Sequence, residues 1–430
     1  MTKIHLLFPC ALLVSVCGPA ALLSAQAPEP PKALPVTEAP AGVTEVPAVL
    51  SASQFLAPGL AASPVHRVRE LVPTDGYLAH YTVDSDFGTF EVTGTTQLRT
   101  CIQEINAIAK LSSISRSDVF ADGLRRSLEQ PIDAAKNVVT HPVDTVKALP
   151  STVGHFFKKV GNSVSGAASN IRERASGEGS GGGAAQGLAR AGKGIIGYDN
   201  AKLDCAKQLG VDPYSDNPRL QEDMDKISWV FWSGGLPLRV GAMATGAGMA
   251  ISATRFAGLP DDIYSVTPGE LALRDNTAMG ALLVPEAERR AFSTNPALTL
   301  SLRHSILTSL AFLEGAQGRA RVIGLAGECA DRGQARFLEE TLRLMARRQA
   351  HGAPKVKEIK LMGRIPAAVD SSGALVLALP VDYVSWTPEV AAFVSRDDLN
   401  GLKPEVLHTG SFSPLAAKEL ARAGWTLRKL

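Results

Sequence analysis

The sequence predicts an α+β protein, predominantly helical, with an N-terminal β-hairpin plus helices, a central helical region and a small C-terminal α/β element. β-branched and aromatic residues surround an Asp/Gly turn between Tyr77 and Val92, the signature of a hairpin. Apolar residues recur at helical spacing from Leu98 to Ala109 and again through Leu302, Ile306, Leu310, Leu338, Leu342 and Met345. Two short apolar runs, 356–365 and 374–383, have the length of buried strands and precede a last helix.

The expected organisation begins with a signal peptide over 1–27. Lys3 is followed by a nearly uncharged run and by small residues at Ala25 and Ala27, the order a secretory signal requires. Cleavage is expected near Ala25 or Ala27, and Pro28 beside the second bond suits a peptidase poorly. An uncleaved anchor is the competing reading, but Pro9, Gly18 and Pro19 interrupt the apolar run. Val14-Ser15-Val16 before Cys17 is a poor lipidation context. The address is therefore the periplasm or the exterior.

A Pro/Ala-rich disordered spacer is expected over 28–64, because its composition offers little surface to bury. An N-terminal α+β region follows over 65–175, containing the hairpin and a helix whose Leu98, Cys101, Ile102, Ile105 and Ile108 share a face. Pro131-Ile132-Asp133-Ala134-Ala135-Lys136 is echoed by Pro142-Val143-Asp144-Thr145-Val146-Lys147, which predicts short helical units. The stretch His141 to Lys147 resembles the helical linker repeats that precede toxin domains in bacterial polymorphic toxins, a likeness limited to this short segment.

A Gly/Ser-rich linker is expected over 176–193 and a helical domain over 194–352, with helix starts at Asn217-Pro218, Asn295-Pro296 and Asp331. The C-terminal α/β domain, 353–430, ends with a helix from Ser413-Pro414 to Gly424 and a closing strand at Trp425-Thr426-Leu427.

Composition narrows the function. The 44 basic and 42 acidic residues nearly balance, so nothing favours nucleic acid as a partner. Cys10 and Cys17 leave with the signal, and Cys101, Cys205 and Cys329 are expected to be small buried hydrophobes, one bridge plus a spare thiol being the alternative. The histidines lack metal-ligand spacing, so neither a metal nor a cofactor is expected. Gly187 to Gly194 imitates a phosphate-binding loop but lacks the hydroxyl that holds magnesium and follows a linker instead of a strand.

The weak catalytic candidates are Asp382, His408, Glu358 and Lys360. Glu358 and Lys360 share one side of a strand, an arrangement metal-dependent nucleases use, but no second carboxylate is nominated. Asp382, Tyr383 and Trp386 follow an apolar strand, where open α/β sheets carry sites, and His408, Thr409 and Ser411 lie on the next turn. The basic aromatic stretch His155 to Lys159 suits an anionic membrane surface, and the uncharged Val240 to Thr254 is too short to span one.

The expected function is a non-catalytic interaction or scaffold protein of the bacterial cell envelope, its partner an envelope protein or an anionic membrane surface. The alternatives are a membrane-active or toxin-like effector and a hydrolase with its site in the C-terminal domain.

Overall fold

A computed structural model describes residues 43–129, 197–240 and 260–430. The signal peptide, the repeat over 131–147, the Gly/Ser linker, the loop-like Gly187 to Gly194, the stretch His155 to Lys159 and most of Val240 to Thr254 lie outside the described residues.

The chain is a helix-rich α+β protein. Its first part does not match the extended spacer expected there. Residues 43–64 carry β1 (Val49–Ser51), α1 (Ala52–Phe55), α2 (Pro58–Ala61) and β2 (Ala62–Ser63). The apolar side chains of Ala52 and Leu56 explain the correction: both are buried against Val68, Val72 and Tyr81. β1 pairs with β4 (Leu71–Pro73), and β2 with β3 (His66–Val68).

The expected hairpin is β5 (His80–Ser85) and β6 (Gly88–Thr93), antiparallel and closed at Ser85 opposite Gly88. Period-2 alternation buries Tyr81 and Val83. α3 (Thr95–Ser115) then lays Leu98, Cys101, Ile102 and Ile105 on this sheet. The far end of α3 packs with α4 (Asp118–Glu129), with a helix α5 described over 197–209, and with α6 (Pro218–Ser233). Asn217 caps α6 by accepting from the Leu220 N–H, with Pro218 at the first helical position.

A cluster of five helices follows: α7 (Pro268–Ala281), α8 (Glu286–Thr294), α9 (Leu300–Phe312), α10 (Arg319–Gly327) and α11 (Arg332–Ala350). Asn295 does not start a helix, as Asn295-Pro296 suggested; it follows the last residue of α8, and its amide donates to the carbonyls of Gly327 at 3.0 Å and Cys329 at 2.9 Å. Thr299 caps α9 instead, and Asp331 caps α11 as expected.

The C-terminal sheet has the order β13-β11-β9-β8-β7. β7 (Val356–Met362), β8 (Ile365–Asp370) and β9 (Leu375–Leu379) form an antiparallel meander, while β11 (Glu405–His408) and β13 (Thr426–Lys429) run parallel to β9. Helices cover both faces, which is why the strands read as continuous apolar runs. Ile359, Ala368, Val376 and Leu407 join the core of α11, and Ala367, Leu377 and Val406 join that of α12 (Pro388–Val394) and α13 (Pro414–Arg422). β10 (Tyr383–Val384) and β12 (Ser411–Phe412), which follow β9 and β11 in the chain, make a separate small parallel pair.

Cys101, Cys205 and Cys329 are free thiols and are buried. Among the described residues no helix is long and apolar enough to cross a membrane.

Candidate functional site

Asp382 and His408 lie on neighbouring backbone but do not face each other as an acid and base. The backbones meet closely: Ser411 N–H donates to the Asp382 carbonyl at 2.9 Å, and a Cβ on Gly410 would lie 2.2 Å from that oxygen. The Asp382 carboxylate instead accepts the Ala79 N–H at 2.9 Å and the Thr95 N–H at 3.0 Å. It caps α3, whose own preceding residue, Gly94, has no side chain to do so. Burial raises the Asp382 carboxyl above its ordinary value, against these hydrogen bonds.

The His408 Nδ1–H donates to the Gly410 carbonyl at 3.1 Å, and the ring packs edge-on against Phe412 at 4.8 Å. Burial lowers its basicity. Thr409 donates to the Val381 carbonyl, and the Trp386 N–H donates to Glu45. Glu358 and Lys360 form a solvent-facing pair 3.8 Å apart on β7 and belong to no cluster of three metal-ligating side chains among the described residues. Each expected candidate therefore already serves a backbone or surface contact.

A different set of polar residues converges between α3, α9, α11 and the loop 212–217. On α3, Thr96, Gln97, Thr100 and Glu104 repeat at helical spacing and share one face. On α11, Arg336, Glu339, Glu340 and Arg343 do the same, while Leu338, Leu342 and Met345 turn to the core. Ser301 and Ser305 come from α9, and Asp212, Ser215 and Asp216 from the loop. The cleft they line has an interior of about 50 Å³, room for a few waters or one small polar group.

Glu104 is buried and accepts from the Ser215 hydroxyl and from Asn217 Nδ2 at 3.0 Å. Glu340 accepts from Gln97 Nε2 at 2.8 Å, and Glu339 from the Ser305 hydroxyl at 2.6 Å. Asp212 accepts from the Ser301 hydroxyl and the Tyr214 N–H. Arg336 pairs with Asp216 at 2.8 Å, and Arg343 with Glu339 at 3.3 Å.

Burial pushes the Glu104 carboxyl up to about 7 despite the two donors it holds. Burial and then the neighbouring charge of Glu339 push Glu340 up to about 7 as well. Burial raises Asp212 too. Two carboxyl groups in one cleft therefore change charge near neutrality. No three His, Cys, Asp or Glu side chains converge as metal ligands among the described residues.

The sequence reading missed this cleft. One signal was present: Glu104 falls within the apolar stripe Cys101, Ile105 and Ile108, where a solvated acid is out of place. On α11, nothing in the spacing of Arg336, Glu339, Glu340 and Arg343 distinguishes them from an ordinary solvated helix face. No family model, no curated protein and no solved structure matches the chain.

Proposed function

We propose that this is an exported, non-catalytic interaction protein of the bacterial cell envelope, and that the cleft between α3, α9 and α11 is its small-ligand site. The observation that carries the binding site is the excess of acceptors in that cleft. Its lining holds the carboxylates of Glu104, Asp212, Asp216, Glu339 and Glu340 against the guanidiniums of Arg336 and Arg343. A group entering it is stabilised by presenting N–H donors and positive charge, so the ligand class is an amine or guanidinium on a small molecule or a partner side chain. Export rests on the composition of residues 1–27.

Free arginine and ethylamine, with succinate as the anionic control, provide the test by thermal shift on the mature protein at pH 8. Concentration-dependent stabilisation by the cations, absent with succinate and lost in Glu340→Gln, is the expected result. Equal responses to cations and succinate would remove the site from consideration. A reporter active only outside the cytoplasm, fused after residue 64, tests export separately.

A second reading is favoured by the two carboxyl groups near 7: acid–base hydrolysis in the same cleft. It requires turnover of chromogenic esters or glycosides by the purified protein, abolished in Glu340→Gln without a change in melting temperature.

A further inference from the structure

His304 on α9 stands apart from the cleft and bridges two acids on two other elements. Its Nδ1 lies 2.7 Å from Asp275 Oδ1 on α7, and its Nε2 lies 3.1 and 3.2 Å from the two oxygens of Asp262. Asp262 belongs to a four-residue 3₁₀ turn, Asp261–Tyr264. A carboxylate only accepts hydrogen bonds, and a neutral imidazole has one N–H. Contacts from both ring nitrogens to carboxylates thus require two donors, which only the imidazolium has.

The burial is asymmetric. His304 and Asp275 are buried, whereas the Asp262 side chain is 39% exposed. Asp275 Oδ2 is buried and has no hydrogen-bond partner among the described residues, so this carboxylate depends on the charged ring. Arg274 lies 3.5 Å from Asp262 and pairs with Glu270 as well. Arg303, next to His304, is half-buried and feels the charge of Asp275. Tyr264 ends the same turn and packs with Tyr214, whose hydroxyl donates to the Val266 carbonyl, against Ile263, Val266 and Leu271.

We propose that His304 is a proton-operated latch: as an imidazolium it ties the Asp261–Tyr264 turn to α7 and α9, and loss of its proton releases the turn. On deprotonation the Nδ1–H to Asp275, shorter and more buried, is kept. The Nε2 lone pair then faces the Asp262 oxygens, and the repulsion pushes this more exposed side chain toward water. The turn retains Ile263, which is packed against Val266 and Leu271, so release loosens it without unfolding the helices.

Electrostatics agrees with the geometry. Burial opposes the charged ring, but the hydrogen bond and charge of Asp275, joined by Asp262, outweigh it and hold His304 above its ordinary value. The closed latch is thus fully present below the ordinary histidine range and is lost as pH rises through the raised value.

Hydrogen exchange of the mature protein between pH 6 and 9, corrected for intrinsic rates, reads the latch at the amides of Ile263 and Ser265, which bond to Pro260 and Asp262. Protection of these two amides is expected to fall about tenfold as His304 titrates, with a midpoint above about 6.5 by histidine NMR. His304→Gln assigns the resonance and should abolish the pH dependence. Should that variant fold poorly, Asp262→Asn leaves the buried pair intact; its amide either accepts from or donates to the ring, so protection becomes independent of pH and the midpoint falls. A His304 midpoint at or below 6.5, or wild-type protection that does not change with pH, overturns the proposal.

Discussion

The carboxylate of Asp382 accepts the backbone N–H of Thr95 at 3.0 Å, joining the C-terminal sheet to the first turn of α3 across 287 residues of sequence. The same group accepts the Ala79 N–H, so it satisfies donors on two N-terminal elements at once. Asp382→Ala leaves both N–H groups without this acceptor in a buried site. The expected loss is about 2–4 kcal/mol of stability, measured by urea unfolding. Asp382→Asn keeps an acceptor and should lose less.

Glu104 and Glu340 make stability fall as pH rises. Both carboxyls ionise near 7 in the folded protein and near 4.5 when unfolded. Between these values the folded state holds protons that the unfolded state has released, so their favourable contribution is complete below about 4.5 and gone above about 7. The effect is on the order of 3 kcal/mol per group. Urea midpoints from pH 5 to 8 should decline in the wild type and decline less in Glu340→Gln.

Gly318 occupies the left-handed region with φ of +83°, and a Cβ there would sit 2.2 Å from the Ile359 carbonyl oxygen. The adjacent Gln317 exchanges backbone hydrogen bonds with Lys357 and Ile359 of β7, so the chain cannot move away. Gly318→Ala should cost roughly 3 kcal/mol or more, read as a lower urea midpoint.

Leu283 is the opposite case. It follows α7 with φ of 56° and is 86% exposed. Its N–H and that of Val284 close the helix onto Gly280 and Met279, a geometry that favours glycine. Leu283→Gly should raise stability by roughly 0.5–1 kcal/mol in the same assay.

The three thiols of the described residues, Cys101, Cys205 and Cys329, should resist alkylation in the native protein. Burial pushes Cys101 and Cys205 up to about 12 and raises Cys329. A maleimide at pH 8 should label none before denaturation and all three afterwards; prompt native labelling of Cys205 would contradict its complete burial.

Much of the fold was legible because its signals are local. The β5–β6 hairpin, the buried face of α3, the caps at Asn217, Asp331 and Ser413 and the apolar strands β7 to β9 each follow from residues a few positions apart. Where a local signal was ambiguous it misled. Asn295-Pro296 resembles a helix start, but its amide closes a loop near Cys329. Poor composition over 43–64 hid a few apolar residues sufficient to dock that segment on the N-terminal sheet.

The sequence by itself determined the α+β class, most of the elements after residue 64 and the burial of Cys101, Cys205 and Cys329. Tertiary structure decided what the polar residues do. Glu340 meets Gln97 across 243 residues, Glu104 meets Ser215 across 111, and Asp212 meets Ser301 across 89. No spacing rule links such partners. Which helix faces meet depends on how the apolar stripes pack, and only that packing removes water from Glu104 and Glu340 and moves their ionisation to neutrality.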